Sequence, residues 1–168
     1  HPLYSYAYIT DREEGLILVD VMNLVDRDPT NNFLERALTY NPEGKLNGAV
    51  NLTIGGNYVY ICCDRGLVVV SIQDPSKPRL VAELTELKKP KAVAIQFRYA
   101  FVCDEEGVKV VDITLKEEPK LVSNNLIRLS EANDICVART YAYVAAGSQG
   151  MVIIDVENPG KMALEKIF

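Results

Sequence analysis

The chain has 168 residues, of which 48% are hydrophobic and 24% charged, a composition typical of a globular chain with one sizeable core. Its 23 acidic residues outnumber its 18 basic ones, and the net charge of −5 argues against a nucleic-acid surface, which needs a basic stripe. No apolar stretch approaches the ~20 residues that a membrane-spanning helix needs, so no membrane span is expected in this chain.

Taken in chain order, the predicted elements repeat. A strand-like segment with two aromatic residues two positions apart occurs four times: Tyr6-Ala7-Tyr8-Ile9, Tyr58-Val59-Tyr60-Ile61, Tyr99-Ala100-Phe101-Val102 and Tyr141-Ala142-Tyr143-Val144. Each is followed by a glycine that opens an apolar run, and these glycines, 51, 41 and 43 residues apart, are Gly15, Gly66, Gly107 and Gly150. A period in this range indicates a repeat architecture.

Each repeat divides into short strands separated by turn residues. In the third repeat the predicted strands cover residues 92–97, 99–103, 108–113 and 120–123. Four short strands in each unit of about 40–45 residues predict an all-β fold of the β-propeller type. The approximate repeats are residues 1–46, 47–89, 90–131 and 132–168, and they form a single domain.

The first repeat begins with its second strand, predicted over residues 4–10, and the last ends with an outer strand over residues 162–168. About fifteen strands are therefore expected, in about four blades of four antiparallel strands, with the first blade lacking its inner strand. The chain also has no initiator methionine, and we interpret it as a piece of a longer chain and a larger propeller.

Three features of the repeat predict packing and turns. The paired aromatics share one face of the second strand, so they are expected to form a wedge between blades. The glycine is expected to adopt a positive φ in a tight turn. Five residues past each glycine stands Asp20, Ser71, Asp112 or Asp155, and the aspartates are expected to bind nearby backbone amides. Because there is one aspartate in each blade, these side chains are expected to lie too far apart to form a metal site or an acid–base pair.

Four cysteines, Cys62, Cys63, Cys103 and Cys136, fall in predicted strands and lack the spacing of a zinc site. We expect buried free thiols that act as small hydrophobic groups, with no disulfide framework. Because side chains alternate along a strand, the adjacent Cys62 and Cys63 should point to opposite faces.

The repeat resembles the LVIVD-repeat family. The resemblance rests on residues 141–146, on Gly150-Met151-Val152-Ile153-Ile154-Asp155-Val156 with Asn158-Pro159, and on the corresponding runs at residues 66–72 and 15–21. It implies a β-propeller segment of a bacterial or archaeal protein, often exported or surface-bound, without shared catalytic residues. By this resemblance the chain is expected to be extracytoplasmic or at the cell surface, although it carries no signal-peptide pattern.

An open propeller presents a bare blade face and unpaired strand edges at each end. The expected partner is therefore a protein partner or the remainder of the same chain, completing the propeller, and oligomers through open blade edges are possible. The first repeat is also about ten residues longer than the others, with the surplus within residues 24–47. That insertion is either a binding loop or a tolerated surface excursion.

The turns between second and third strands suggest a candidate interaction rim because they are acidic. Its residues are Asp11, Glu13 and Glu14, then Asp64, then Asp104, Glu105 and Glu106. Such a rim would attract a basic partner or loosely hold cations, and the alternative is a set of ordinary solvated turns. The fourth turn, residues 146–149, has no acid.

Catalysis is not expected, because the one histidine, His1, is terminal and no phosphate-binding loop is present. The leading hypothesis is a non-catalytic interaction scaffold without a cofactor. By resemblance, a second hypothesis is a module attached to a multihaem c-type cytochrome or other redox assembly. If a Cys-x-x-Cys motif directly precedes this segment in a longer chain, His1 would be a haem ligand. A third, disfavoured hypothesis is an enzyme site at the propeller channel, where the inner strands offer Asn47, Lys91, Asn133 and Asp134.

Overall fold

The computed structural model describes residues 5–168, except for the side chain of Asn124. Within this range, fifteen β-strands form four antiparallel sheets. In chain order the strands are β1 Tyr6–Asp11, β2 Gly15–Asp20, β3 Glu35–Tyr40, β4 Asn51–Gly55, β5 Tyr58–Cys63, β6 Gly66–Ser71, β7 Arg79–Leu84, β8 Ala92–Gln96, β9 Tyr99–Asp104, β10 Gly107–Asp112, β11 Lys120–Arg128, β12 Asp134–Ala138, β13 Tyr141–Ala145, β14 Met151–Asp155 and β15 Ala163–Ile167.

Each sheet contains strands that follow one another in the chain. Blade 1 comprises β1–β3, blade 2 β4–β7, blade 3 β8–β11 and blade 4 β12–β15. The inner strand β8 contacts the inner strands β4 and β12, so the first strands of blades 2 to 4 lie next to one another. This arrangement confirms the predicted propeller of about four blades, with three strands among the described residues of blade 1.

Strand boundaries differ from the prediction mainly in the third repeat. Its outer strand continues past residue 123 to Arg128, because the register shifts from the pair Val111 and Leu121 to the pair Lys109 and Leu126. The four residues between Leu121 and Leu126 lie opposite the single residue Val110, a large irregular bulge that the sequence pattern does not indicate. Residue 4, predicted to start the first strand, lies outside the described residues.

The surplus of the first repeat is partly structured. It contains the outer strand β3 and a 3₁₀ turn at Pro42–Gly44. The segment before β3 exposes apolar side chains, including Val25, Phe33 and Leu34. The insertion is therefore neither a simple loop nor fully packed against the blades.

The two faces of each blade differ in a regular way. We call the face that carries the aromatic pair of the second strand its aromatic face, and the opposite one its aliphatic face. Between blades 2 and 3, Tyr58 and Tyr60 of the aromatic face share a core cluster with Ala100 and Val102 of the next blade's aliphatic face. The same pairing fills the other two joints, around Tyr6 and Tyr8 and around Tyr99 and Phe101. The predicted aromatic wedge is thus confirmed at all three joints.

Side-chain hydrogen bonds supplement the apolar contacts at the first two joints. Between blades 1 and 2, the Tyr40 hydroxyl accepts a hydrogen bond from the backbone N–H of Leu80 at 2.7 Å. Between blades 2 and 3, Asn51 Oδ1 accepts one from the backbone N–H of Val93 at 3.0 Å. In each bond the donor is a backbone N–H group that makes no hydrogen bond within its own sheet. The acceptor is a side chain of the preceding blade.

The joint between blades 3 and 4 is bonded at both its inner and outer ends. Gln96 Nε2 donates to the backbone carbonyl of Arg139 at 2.6 Å. At the outer end the bulge of β11 positions Asn125, whose Oδ1 accepts from the N–H of Met162 at 3.0 Å and whose Nδ2 donates to the carbonyl of Pro159. The Asn125 side chain is nearly buried, so these bonds satisfy its polar atoms.

The repeat glycines adopt positive φ values, as predicted, and they also allow close approach of the outer strand. At Gly107 φ is +134°, and an added Cβ would lie 2.0 Å from the carbonyl oxygen of Ile127. At Gly66 the corresponding distance to the carbonyl oxygen of Leu84 is 2.1 Å. No side chain fits there without displacing backbone atoms.

We expect Gly107→Ala to lower the free energy of unfolding by at least ~3 kcal/mol, because backbone strain and displacement of β11 add together. Gly56→Ala is the matched control: Gly56 also has a positive φ, +62°, but no atom lies within 4 Å of an added Cβ. It should cost only ~1–2 kcal/mol. Urea denaturation measures both, and equal losses would contradict the close-approach explanation.

The aspartates at the end of the third strands bind backbone amides, as predicted. The N–H groups of Met22, Thr114 and Glu157 each donate at 2.8 Å to Asp20, Asp112 and Asp155, respectively. In blade 2, where Ser71 replaces the aspartate, Asp74 accepts from the N–H of Ser76 at 3.1 Å, so the turn is fixed further along the loop.

The cysteines are free thiols, but one part of the prediction is wrong. Cys62, Cys63 and Cys103 are buried, whereas Cys136 is exposed because it lies on the aromatic face of blade 4, which no described blade covers. Cys62 and Cys63 occupy different blade joints, as their alternation predicts. Burial raises the pKa of the Cys103 thiol to about 12, which makes it a poor nucleophile.

Candidate functional site

The predicted acidic rim begins at the turn between β1 and β2. There Asp11 is half-buried and accepts hydrogen bonds at 2.8 Å from the backbone N–H groups of Glu13 and Glu14. Both bonds lower the pKa of Asp11, and the bond from Glu14 has the larger effect. Glu14 forms an ion pair with Arg36 on β3. Of this turn's acids, Glu13 is left exposed and forms no ion pair with any described residue.

The turns of blades 2 and 3 offer one exposed acid each. Asp64 is exposed, and its backbone N–H donates to the carbonyl of Asn47 at 3.1 Å. Glu105 is exposed too, but its carboxylate pairs with Lys89 Nζ at 2.6 Å. The lysine neutralises part of the charge that the sequence assigned to the rim.

The other two acids of the blade 3 turn belong to a charged cluster in which Asp104 and Lys109 are buried, Glu106 is half-buried and Lys88 is exposed. Asp104 is fully buried, and its Oδ2 lies 2.7 Å from Lys109 Nζ, which also lies 2.5 Å from Glu106 Oε2. Lys88 Nζ reaches Glu106 Oε1 at 2.9 Å. Burial alone would lower the pKa of Lys109, but its hydrogen bonds to Asp104 and Glu106 raise it above the ordinary value.

Asp104 is also a turn-forming residue. Its Oδ1 accepts from the N–H of Glu106 at 2.8 Å, and its Oδ2 accepts from the N–H of Lys88 at 3.0 Å. The carboxylate thus has both backbone donors and a counter-charge inside the protein. Asp104 therefore stabilises the turn and is not presented to a partner.

Lys109 is the residue that sequence reasoning missed. It stands in the apolar run of β10, at the position that Val68 occupies in blade 2 and Val152 in blade 4. The available signal was a lysine inside an otherwise apolar strand, close in sequence to Asp104 and Glu106. A lysine is almost never buried unless it is paired, so that contrast indicates a buried ion pair.

The fourth turn, which has no acid of its own, receives one from the preceding connection. Glu131 Oε2 accepts from the backbone N–H of Ser148 at 2.8 Å and from its hydroxyl at 2.7 Å. Both bonds lower the pKa of Glu131, and the bond from the backbone N–H has the larger effect. All four turns therefore contain a carboxylate, although the rim as a binding site stays a prediction.

The charged cluster predicts a pH effect. Hydrogen bonds from Lys109 and then Lys88 lower the pKa of Glu106 to about 2, from a model-compound value of 4.5. A lowered folded-state pKa adds stability above pH ~4.5 that is lost as the pH falls towards 2. We expect Glu106→Gln to reduce the slope of unfolding free energy against pH within that window. Urea titrations at several pH values measure this, and a slope that Glu106→Gln leaves unchanged would contradict the role of the two lysines.

The second candidate surface is the aromatic face of blade 4. Tyr141 and Tyr143 are each 36% exposed, whereas Tyr60 and Phe101, which occupy the position of Tyr143 in blades 2 and 3, are 0% exposed. Met151 on the adjoining strand is 44% exposed, and Cys136 lies opposite Tyr143 in the register. Four neighbouring side chains with apolar character thus form a contiguous surface.

At the other end of the array, the aliphatic face of blade 1 is also uncovered. Ile9 is 47% exposed, whereas Ile61, Val102 and Val144, which occupy the same repeat position, are 0% exposed. The edge of β1 pairs with no strand among the described residues. Among the described residues, the array therefore has one uncovered face of each kind.

The inner strands offer few polar groups to a channel site. Lys91 Nζ donates to Asn133 Oδ1 at 3.0 Å, Asn47 Oδ1 accepts from Asn41 Nδ2 at 2.8 Å, and Asp134 Oδ1 accepts from the N–H of Ile135 at 2.9 Å. Three separate local bonds result, and they bring no acid and base together. Across residues 5–168, no group of three or more potential metal ligands occurs, and no helix is long and apolar enough to cross a membrane.

Comparisons with known proteins agree with this architecture. The profile of the LVIVD repeat matches four segments, residues 5–30, 48–85, 89–125 and 130–168. A search of curated proteins finds no match. Solved structures with a similar fold include the N-terminal domain of Nup159, at 12% identity and a TM-score of 0.63, with 100% of this chain and 42% of that one covered.

Two further solved structures extend this likeness. The computationally designed protein Ika8 is 13% identical with a TM-score of 0.68, over 98% of this chain and 46% of that one. PorZ, a surface component of the type-IX secretion system of Porphyromonas gingivalis, is 16% identical with a TM-score of 0.58, over 96% of this chain and 19% of that one. The chain spans less than half of each of these proteins, and at such identities the likeness shows the fold alone.

Proposed function

Because the chain belongs to the LVIVD repeat family, we propose that it is a non-catalytic β-propeller module of an exported or cell-surface protein, and that it docks protein through its uncovered blade faces. The observation that carries this proposal is the exposure of Tyr141, Tyr143 and Met151 on one contiguous face. Their counterparts elsewhere in the repeat array are covered by another blade. An exposed apolar patch of this kind is typical of an interaction surface.

The polar residues support a non-catalytic role. The buried carboxylate of Asp104 is paired with Lys109 and with backbone amides, so it is committed to the turn. The inner-strand residues Lys91 and Asn133 bond to each other. A general acid or base needs a titratable group aimed at a substrate position, and these groups are aimed at their neighbours.

The solved structures of similar fold support the same class of function. Nup159 from S. cerevisiae has been solved bound to Dbp5, which makes it a protein-binding propeller-like domain. PorZ is described as a bacterial surface component, consistent with a role outside the cytoplasm. His1, the haem ligand considered for the redox alternative, lies outside the described residues.

Site-specific photocrosslinking in the native host tests the proposal. The probe is p-benzoylphenylalanine, placed at Tyr143, and its aromatic ring preserves the character of the face. The control places the same residue at Phe97, a hairpin residue that is 92% exposed but lies on neither uncovered face. We expect protein adducts from position 143 and none of comparable yield from position 97. Absence of any protein adduct at 143, or equal adducts at both positions, would contradict the docking role.

A second arm of that experiment addresses location. Protease added to intact cells should digest an exported or surface protein while a cytoplasmic marker survives. Full protection of the protein in intact cells, followed by digestion after lysis, would contradict the exported location and leave the docking role standing.

A further inference from the structure

Blade 3 departs from the other blades at one point of its outer strand. In blades 1, 2 and 4, two residues of the outer strand lie opposite one residue of the third strand, as Val81 and Ala82 do opposite Val69. In blade 3, four residues, 122–125, lie opposite Val110. An enlarged bulge of this kind disrupts the ladder and bends the strand, and bulges are frequent beside binding sites.

The same blade has a buried charge where the others have an apolar residue. Lys109 lies beside the bulge and pairs with Leu126 in the register, whereas the other blades have isoleucine or valine at its position. Its side chain is nearly buried, and its Nζ is bonded to Asp104 at 2.7 Å and to Glu106 at 2.5 Å. An ammonium group has three N–H donors, so these two bonds leave one for a further acceptor.

A groove of about 550 Å³ lies where the bulge and Lys109 meet. Half-buried Leu121, Val122 and Leu126 give it an apolar wall. Its volume is in the range of small-molecule sites. Blade 3 is followed by blade 4, and blade 2 is preceded by blade 1, so the groove does not depend on where the array begins or ends.

Two charges of opposite sign line the groove and remain apart. Glu86 lies on the connection between β7 and β8, and Arg128 is the last residue of β11. Both are exposed, and within residues 5–168 neither forms an ion pair with the other or with a third side chain. Glu106, which also lines the groove, is already bonded to Lys88 and Lys109. The groove therefore offers a ligand one carboxylate and two cationic donors, Arg128 and Lys109.

We propose that this groove binds a free aliphatic α-amino acid. The ligand carboxylate accepts hydrogen bonds from Arg128, whose planar guanidinium suits a carboxylate, and from the third N–H of Lys109. The ligand ammonium group lies against Glu86, and its side chain packs on Leu121 and Leu126. A ligand with a single charge leaves either Glu86 or Arg128 without a counter-charge, so the groove selects a zwitterion. The site is separate from the aromatic face of blade 4 and does not rest on the proposed docking function.

Isothermal titration calorimetry with three related probes tests the charge pattern. L-Leucine has both charges, 4-methylpentanoate lacks the ammonium group, and 3-methylbutylamine lacks the carboxylate. We expect leucine to bind at least about tenfold more tightly than either fragment, because each fragment loses one charge-assisted contact. No binding of leucine at about 10 mM, or an equal affinity for leucine and one of the fragments, would overturn the inference.

Two substitutions assign the two ends of the ligand. Arg128→Gln should weaken the binding of leucine and of 4-methylpentanoate about tenfold or more, and should leave 3-methylbutylamine unchanged. Glu86→Gln should weaken leucine and the amine but not the acid. Both residues are exposed, and circular dichroism checks that the variants are folded. Arg139→Gln, in the hairpin between β12 and β13, is the matched control, and an equal effect of Arg128→Gln and Arg139→Gln on leucine would contradict the site.

A shortened outer strand tests the groove itself. Deleting residues 123 and 124 leaves two residues opposite Val110, the number that the other blades have. We expect this variant to lose leucine binding, because the groove depends on the enlarged bulge. A folded variant that keeps the affinity of the native protein would be evidence against the inference.

Chemical-shift mapping gives an answer without any substitution. In ¹H–¹⁵N spectra of the native protein, leucine should shift the backbone amide resonances of Val122, Leu126 and Arg128, which line the groove. The amide of Tyr143, on the aromatic face of blade 4, should not move. Saturable shifts confined to residues outside the groove, or no shifts at all, would overturn the inference.

Discussion

Replacing Lys109 with valine should cost about 3–5 kcal/mol of unfolding free energy, although valine is the residue that blades 2 and 4 have at this position. The loss arises because Asp104, which is fully buried, then has no counter-charge. Glu106 loses one of its two lysine partners at the same time. Equilibrium urea denaturation at neutral pH measures the change.

The internal repeat supplies the control. Blade 4 has Ala146 and Val152 where blade 3 has Asp104 and Lys109, so the double variant Asp104→Ala/Lys109→Val copies an apolar arrangement already present in the protein. We expect the double variant to be more stable than Lys109→Val alone, because no buried charge is left unpaired. It still loses two backbone hydrogen bonds, worth ~1 kcal/mol each. A double variant less stable than the single one would contradict the ion-pair explanation.

Phe101→Ala should have an effect of similar size, about 3–5 kcal/mol, because it opens a cavity in the joint between blades 3 and 4. Phe101 is 0% exposed and belongs to the cluster that holds Ala142, Val144 and Ile154 of the next blade. The measurement is again the midpoint and slope of urea denaturation.

Tyr143→Ala is the matched substitution in blade 4. It should cost less than ~1 kcal/mol, because the side chain is 36% exposed and no blade among the described residues covers it. If the two substitutions were equally destabilising, the aromatic residues would stabilise their own sheet and the wedge between blades would not explain their role.

The sequence predicts the fold well where the residues act through local rules. The aromatic pairs, the positive-φ glycines and the turn-forming Asp20, Asp112 and Asp155 all depend on the alternation of strand side chains and on short turns. Both are readable over a few residues. Each pattern also recurs at equivalent positions in other repeats, and such recurrence is much less readily explained by chance than a single match.

The missed features depend on contacts made across turns, between connections, or with blades absent from the described array. Lys109 is buried because Asp104 and Glu106 face it across a turn, and Glu131 serves a turn that begins fifteen residues later. Cys136 has the sequence surroundings of a buried strand residue, yet it is exposed because its blade is the last described one. Position in the array, which a local pattern does not encode, decided its burial.

The acidic rim illustrates the same limit for function. From composition, its seven acids are equivalent, but the structure separates the exposed Glu13 and Asp64 from the buried Asp104 and from the lysine-paired Glu105. Which carboxylates face solvent depends on lysines contributed by the neighbouring strand β10 and by the connection before β8. The net charge of a turn, counted from its sequence, is therefore a weak guide to the electrostatic potential at the protein surface beside that turn.

The hydrogen bonds at the blade joints bear on how the chain avoids misfolding. Apolar faces that are nearly alike cannot by themselves select the correct neighbour, and repeat proteins are prone to exchange equivalent units. The bonded pairs differ from joint to joint: Tyr40 with Leu80, Asn51 with Val93, and Asn125 with Met162. A blade stacked out of order would bury these groups unpaired, at ~1–3 kcal/mol each, so the polar contacts penalise permuted arrangements that hydrophobic matching alone would permit.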